Sequence, residues 1–308
     1  MTVPDSRRRV RLPRPLALWI VLGLCGASAL LLAIVWTLIN QADGQIVSGG
    51  RQRSYLLHVP ASYDPATPVP LVISIHGFAE WPAHQMQISR WNDLADQHGF
   101  IVVYPAGTGF PRRWQTGGEA LEDVTFISDL IDALAQRYTI DPTRIYANGL
   151  SNGGGMSYLL ACQLADRIAA VGSVSGAYLL PPDECLPARP VPLIAFHGTA
   201  DPIVPYDGGP SASFDLSFPA VPDWIAAWAG RSGCDAAPVP LPGHGEVSGL
   251  RYIGCRGSAD VLFYTIHGGG HAWPGGPPMR RFIVGHTTQD IDATAVMWAF
   301  FTHHALDN

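Results

Sequence analysis

Arg144-Ile145-Tyr146-Ala147-Asn148-Gly149-Leu150-Ser151-Asn152-Gly153-Gly154-Gly155-Met156 passes from a predicted strand, through a serine flanked by glycines two places away on each side, into a predicted helix. A strand-to-helix turn this sharp holds its central residue in a strained backbone conformation, and side chains at the two glycine positions would clash. The serine hydroxyl is thereby raised above the sheet. The same turn aims the N–H of Asn152, at the start of the helix, toward any negative charge that develops beside Ser151. A second Ser/Gly-rich stretch, Gly172-Ser173-Val174-Ser175-Gly176, has valine at its apex and reads as the close of the following strand.

Outward from this turn, short apolar runs alternate with amphipathic stretches, the pattern of an α/β fold. Tyr55 to Val59, Leu71 to Ile75, Phe100 to Tyr104, Arg144 to Ala147, Ala169 to Val174, Pro192 to Phe196 and Val261 to Ile266 read as strands. Most are bounded by Gly or Pro, as buried parallel strands are. Helices are predicted at His84 to Gln97, Val124 to Tyr138, Gly154 to Arg167, Pro222 to Arg231 and Asp290 to His304. In the second of these, Phe126, Ile127, Leu130, Ile131 and Leu134 share one face, so it is expected to lie on a sheet. No internal repeat or low-complexity tract interrupts the pattern.

A serine nucleophile on such a turn needs an acid and then a base, each on a loop after a later strand. Pro192 to Phe196 leads into His197-Gly198-Thr199-Ala200-Asp201-Pro202, which puts Asp201 just past a buried strand. Asp207 is the nearest competitor, but it lies among turn formers. Val261 to Ile266 leads into His267-Gly268-Gly269-Gly270-His271, and His271 sits on the glycine loop where a general base belongs. His-x3-His can bind zinc when both residues share a helix face, but the three glycines forbid a helix here, and no metal or other cofactor is expected. The strand Leu71 to Ile75 ends in His76-Gly77-Phe78, where a second oxyanion donor belongs, with the N–H of Phe78 or the following residue as candidate and His76 as a loop stabiliser.

All 19 basic residues are arginine, so a Schiff-base lysine, a P-loop lysine and a Ser-Lys dyad are excluded. Five arginines against Asp5 give residues 1–15 a charge of +4, and the remainder carries −10 of the overall −6, which argues against a nucleic-acid partner. Residues 16–39 carry no charge and, as a helix rising about 1.5 Å per residue, would span roughly 36 Å. The expected organisation is a basic cytoplasmic head at 1–15, a transmembrane signal anchor or cleaved signal peptide at 16–39, and one catalytic domain at 40–308 outside the cytoplasm. The length of the apolar stretch and the lack of a small-x-small site favour the anchor. Cys162, Cys185, Cys234 and Cys255 then suit two disulfides, with sequence-local pairing the simplest of three connectivities.

Ile75-His76-Gly77, Asp123-Val124-Thr125-Phe126-Ile127, Asp141-Pro142-Thr143-Arg144-Ile145-Tyr146, the serine turn, His197-Gly198-Thr199-Ala200-Asp201 and Gly269-Gly270-His271-Ala272-Trp273-Pro274-Gly275 occur in this order. In these motifs the chain, from about Arg51 onward, resembles the esterase family that includes poly(3-hydroxybutyrate) depolymerases and feruloyl and acetylxylan esterases. The resemblance implies an α/β-hydrolase fold, a mostly parallel central sheet with helices on both faces, and hydrolysis of a carboxylic ester. It places the family's Ser, Asp and His on Ser151, Asp201 and His271, and its frequent cysteine positions resemble Cys162 with Cys185 and Cys234 with Cys255. The ester partner could be polymeric, a polyester or an esterified polysaccharide. About fifteen residues between Gly176 and Pro192 are too few for a large helical cap, so the cleft is expected to be open. Trp114, Tyr206 and Trp273 are candidates to line it. A serine peptidase of the same fold, and a tethered module without catalysis, are the alternative readings.

Overall fold

The structure, a computed structural model, describes residues 28–31, 33, 36, 37, 39–117 and 121–307. It divides into two units, Met1–Gln41 and Ala42–Asn308. The predicted basic head and most of the predicted span at 16–39 lie outside the described residues. Among the described residues no helix is long and apolar enough to cross a membrane.

In chain order the elements of the second unit are β1 (Gly44–Ser48), β2 (Arg51–His58), β3 (Val69–Ile75), α1 (Pro82–Ser89), α2 (Trp91–His98), β4 (Ile101–Pro105), α3 (Leu121–Ala135), β5 (Ile140–Leu150), α4 (Asn152–Gln163), β6 (Ala170–Val174) and β7 (Leu193–Gly198). There follow the two-residue strands β8 (Gly209–Pro210) and β9 (Ser217–Phe218), then α5 (Val221–Arg231), β10 (Val239–His244), β11 (Val247–Tyr252), β12 (Val261–Ile266), α6 (Arg281–Val284) and α7 (Ala293–Phe301). Ten strands form one sheet in the order β1-β2-β4-β3-β5-β6-β7-β12-β11-β10. Its middle, from β4 through β3, β5, β6 and β7 to β12, is parallel, and antiparallel pairs close both ends.

The side-chain period of two sorts the central strands between two cores. Leu71, Ile73 and Ile75 of β3 enter one, with Phe126 and Leu130 of α3, Met156 and Leu160 of α4 and Trp224 of α5. Val72 of the same strand enters the other, with Trp91 of α2 and Met297 and Phe301 of α7. Helices therefore cover both faces, which is why every residue of β3 is buried.

Three sequence expectations change. The link at Asp43 to Gly50 contains β1, which pairs with β2 from Gly44↔Tyr55 to Ser48↔Arg51. The single helix expected at His84 to Gln97 is two, because Arg90 takes the left-handed conformation (φ 56°, ψ 27°) and breaks it. The break turns Trp91 into the core, where its Nε1 donates to Asn148 Oδ1 at 3.0 Å. The strands β10 and β11 form an edge hairpin that the apolar pattern did not mark. The disulfides take the sequence-local pairing, Cys162 with Cys185 and Cys234 with Cys255. They tie α4 and the end of α5 to the chain entering β7 and β12 respectively.

Candidate active site

Parallel strands end on one side of a sheet, so the loops after β3, β5, β7 and β12 gather at one edge. Ser151 follows β5 with φ 57° and ψ −119°, a left-handed conformation that costs a non-glycine residue of order 1–3 kcal/mol. Two glycines make the turn possible. A Cβ on Gly149 would lie 2.4 Å from the Gly153 carbonyl carbon, and one on Gly153 would lie 2.1 Å from the Ile75 oxygen. With glycine at both places, β3, β5 and α4 approach closely enough to set Ser151 beside the loop after β3.

Asp201, three residues past β7, is 7% exposed and meets His271 directly, with His271 Nδ1 2.8 Å from Asp201 Oδ2. Its Oδ1 accepts the N–H groups of Ile203 and Val204 at 2.8 and 2.9 Å. Burial would raise this carboxyl, but the charge and hydrogen bond of His271, the nearby His197 and the Val204 N–H outweigh it and hold Asp201 below its ordinary range. Asp207, the competitor, is exposed. His271 is 5% exposed, and its backbone N–H donates to Val284 O of α6. His267 is exposed and faces Ser248 Oγ at 2.9 Å.

The loop after β3 is pinned from two sides. His76 is fully buried, and burial depresses its imidazole to about 4, so it is neutral. Its Nε2 accepts the Gly107 N–H at 3.0 Å, which leaves Nδ1–H to donate to Gly77 O at 2.7 Å. From the other side, Glu80 Oε2 accepts the Gly77 N–H at 2.8 Å while Oε1 lies 3.3 Å from His84 Nδ1. Burial pushes Glu80 upward, but the hydrogen bond and charge of His84, with the Gly77 N–H, outweigh it and keep the group below its ordinary value. Since Ala79 N–H donates to Arg112 O, the N–H groups on both sides of Phe78 are committed. Replacing Glu80 with alanine should free the Gly77 peptide to rotate, lowering kcat on a p-nitrophenyl ester roughly tenfold with KM little changed. Steady-state kinetics checks this.

Asn152 opens α4, where the first N–H groups of a helix have no intrahelical acceptor. Its side chain makes two reciprocal bonds to Trp114, accepting from the Trp114 N–H at 2.7 Å and donating to Trp114 O at 3.0 Å. Trp114 Nε1 donates to His76 O at 2.9 Å, so Trp114 is clamped to both the serine turn and the loop after β3. The buried Arg53–Asp123 pair (2.8 Å) supports it from behind, with Asp123 Oδ2 accepting the Gln115 N–H at 2.9 Å and the guanidinium over the Phe126 ring.

Beside Ser151, Asn152 and Trp114 opens a cavity of ≈ 220 Å³ walled by Phe78, Leu179, Ile203, Phe214, Leu216 and Phe218. Of the three aromatics expected to line the cleft, Trp114 alone does so. Tyr206 stacks on Phe263 and bonds Thr265 Oγ1 at 2.9 Å, and Trp273 is buried in a core with its Nε1 on Thr294 Oγ1 at 2.9 Å. Both satisfy a ring and a polar tip by packing at loop bases. The wall residues after Ser211 were not foreseen, although Phe214, Leu216 and Phe218 alternate with Asp215 and Ser217 at the period of a half-buried strand; the run is short, and only Ser217–Phe218 pairs as one.

A family model described as Esterase PHB depolymerase matches residues 53–222. A putative esterase NocK from Nocardia uniformis subsp. tsuyamanensis is 32% identical over 272 residues, covering 80% of this chain and 78% of the relative. Feruloyl esterase B from Piromyces equi is 32% identical over 71% of this chain, which spans 42% of that longer protein. A probable feruloyl esterase C from Aspergillus terreus is 29% identical over 81% of this chain and 84% of its own length. Among solved structures, acetyl xylan esterase from Aspergillus awamori superposes with a TM-score of 0.55 at 16% identity, covering 74% of this chain and 93% of that one, a likeness of fold.

Proposed function

The chain belongs to the Esterase PHB depolymerase family and is a carboxylic ester hydrolase, and on that premise we propose that it cleaves esters of apolar acyl groups larger than acetyl through an acyl-enzyme on Ser151. In this reading His271, oriented by Asp201, takes the Ser151 proton as Oγ attacks the ester carbonyl and returns it to the departing alcohol. The N–H groups of Asn152 and Phe78 receive the oxyanion. Water, activated by His271, then releases the acid. What carries the reading is the gathering of a strained Ser151 and a buried Asp201–His271 pair at one sheet edge. The committed N–H groups either side of Phe78 support its role as donor.

The apolar cavity supports the acyl preference. An acetyl group would leave its walls in water, whereas an aromatic or longer aliphatic acyl group removes them from water, at roughly 25 cal/mol per Å² of apolar area. Feruloyl esters and short polyester segments both fit that description. The two disulfides, and the basic head before an uncharged stretch at 16–39, support a catalytic domain at 40–308 outside the cytoplasm, held by an N-terminal anchor.

The test compares the full chain with a Ser151→Ala control on p-nitrophenyl esters of increasing acyl length, methyl ferulate, a polyhydroxybutyrate film and a peptide panel. The expected order is methyl ferulate and longer acyl esters ahead of acetate in kcat/KM, with no peptide cleavage. Acetate leading the series would overturn the acyl assignment. Phe214, 39% exposed at the mouth and packed edge-on to Phe78, gives a second handle. Phe214→Ala should lower kcat/KM for methyl ferulate roughly tenfold, about 1.4 kcal/mol, while acetate hydrolysis changes little.

A further inference from the structure

Behind the Asp201–His271 pair lies a small cavity that the reaction as described does not use. Its volume is ≈ 10 Å³, about what one water molecule needs, and it is lined by Ser175, His197 and Thr287 among others. Each of these three is at least nine-tenths buried, and each carries a side-chain polar atom with no partner: Ser175 Oγ, His197 Nδ1 and Thr287 Oγ1. Three polar atoms on the walls of a water-sized space match the usual coordination of a buried water.

The other side of the His197 ring settles which nitrogen bears the proton. Nε2 faces only acceptors, Val204 O at 2.9 Å and Asp201 Oδ2 at 3.4 Å, so it must be the N–H. Burial lowers this imidazole despite Asp201 and Val204, so the ring is neutral and Nδ1 is an acceptor in need of a donor. Neither hydroxyl reaches it directly. A water in the cavity would supply that donor to Nδ1 and accept from Ser175 or Thr287. We propose that this cavity holds one ordered water, and that the water fixes His197 in the tautomer whose Nε2–H is donated to Val204 O with Asp201 Oδ2 3.4 Å away, making His197 a positioning residue for the acid.

Asp201 would then be held by three donors, the Ile203 and Val204 N–H groups on Oδ1 and His271 on Oδ2, with His197 Nε2 3.4 Å from Oδ2 and its N–H dipole bonded to Val204 O. Such a carboxylate can neither rotate nor swap partners, so the His271 ring stays aligned through the proton transfers. The other titratable groups around this cluster are His286, whose Nε2 meets Glu246 Oε2 at 2.9 Å, and Tyr206, whose ring centroid lies 6.1 Å from that of His197.

The inference rests on the triad reading, and the test separates the two. The full chain and its His197→Phe, His197→Gln, Thr287→Val and Ser151→Ala variants are assayed on p-nitrophenyl acetate across pH, with thermal melts alongside. Loss of the His197 N–H dipole beside Asp201 Oδ2 leaves its charge less compensated, which strengthens its hold on protonated His271. His197→Phe should therefore shift the acid limb of kcat/KM to higher pH and lower kcat roughly tenfold. His197→Gln, which keeps an N–H donor, should return the limb to its original place. If His197→Phe does not fold, Thr287→Val, which removes one partner of the water, should move the limb in the same direction by less. A crystal structure at high resolution should show a water within hydrogen-bond distance of all three atoms. Loss of rate with an unmoved limb, or a dry cavity, would overturn the proposal, whereas an active Ser151→Ala protein would overturn the triad reading instead.

Discussion

Ser151→Ala is expected to lower kcat on every ester substrate by about 10⁴- to 10⁶-fold while leaving the melting temperature close to that of the parent. Only the Oγ atom is removed. The backbone bonds that hold the turn, Ser151 N–H to Val174 O at 2.9 Å and the Gly155 and Ala177 N–H groups to Ser151 O at 3.0 and 2.9 Å, do not involve it. Alanine bears the left-handed φ of 57° no worse than serine does. The Asp201–His271 pair also remains, so under the proposed mechanism the variant keeps its base and oxyanion donors but has no nucleophile. Its residual turnover then measures what orientation and the N–H donors achieve with water alone. Paired melts and p-nitrophenyl acetate kinetics read both halves of the expectation, and equal rates for parent and variant would remove Ser151 from the mechanism.

The residues brought together at this edge were legible because each one follows a strand that is itself legible. Leu71 to Ile75 and Pro192 to Phe196 are short apolar runs because the middle of the sheet is buried on both faces, Val261 to Ile266 is largely apolar beside them, and a reader who finds their ends has found the loops. The sheet edges obey no such rule. β10, Val239 to His244, is almost wholly exposed and contains two prolines, and β1 alternates exposed and half-buried residues, so neither stands out from a loop. Arg90 marks a different limit, since a left-handed residue that splits one amphipathic run into two helices leaves no composition signal. Glu80, His197 and the wall of the cavity were missed for a related reason. Their roles arise from bonds and contacts between loops far apart in the chain, as between Asn152 and Trp114, and no spacing encodes those.

Gly153→Ala sets a local preference against a tertiary contact, and the contact is expected to win. Gly153 is the second residue of α4, where helix propensity alone favours alanine by about 1 kcal/mol. Its new Cβ, however, would lie 2.1 Å from Ile75 O, 2.7 Å from Ile75 C and 2.7 Å from His76 O. All three are backbone atoms at the end of a fully buried strand whose Ile75 pairs with Gly149, so no side chain can swing aside. The strain can be relieved only by moving α4 away from β3, which separates Ser151 and the Asn152 N–H from the His76-Gly77-Phe78 loop. A displacement near 1 Å at a reacting centre costs about 100-fold, and overpacking a core costs about 1–3 kcal/mol or more. We therefore expect kcat/KM to fall by at least that factor and the denaturant midpoint to drop. Gly230→Ala is the control, because that glycine is also helical and a Cβ there meets nothing within 4 Å. It should be neutral or slightly stabilising with full activity, so that the difference between two glycine-to-alanine changes in two helices isolates the contact with Ile75. Parental activity in Gly153→Ala would mean that the close approach of α4 to β3 does not position Ser151.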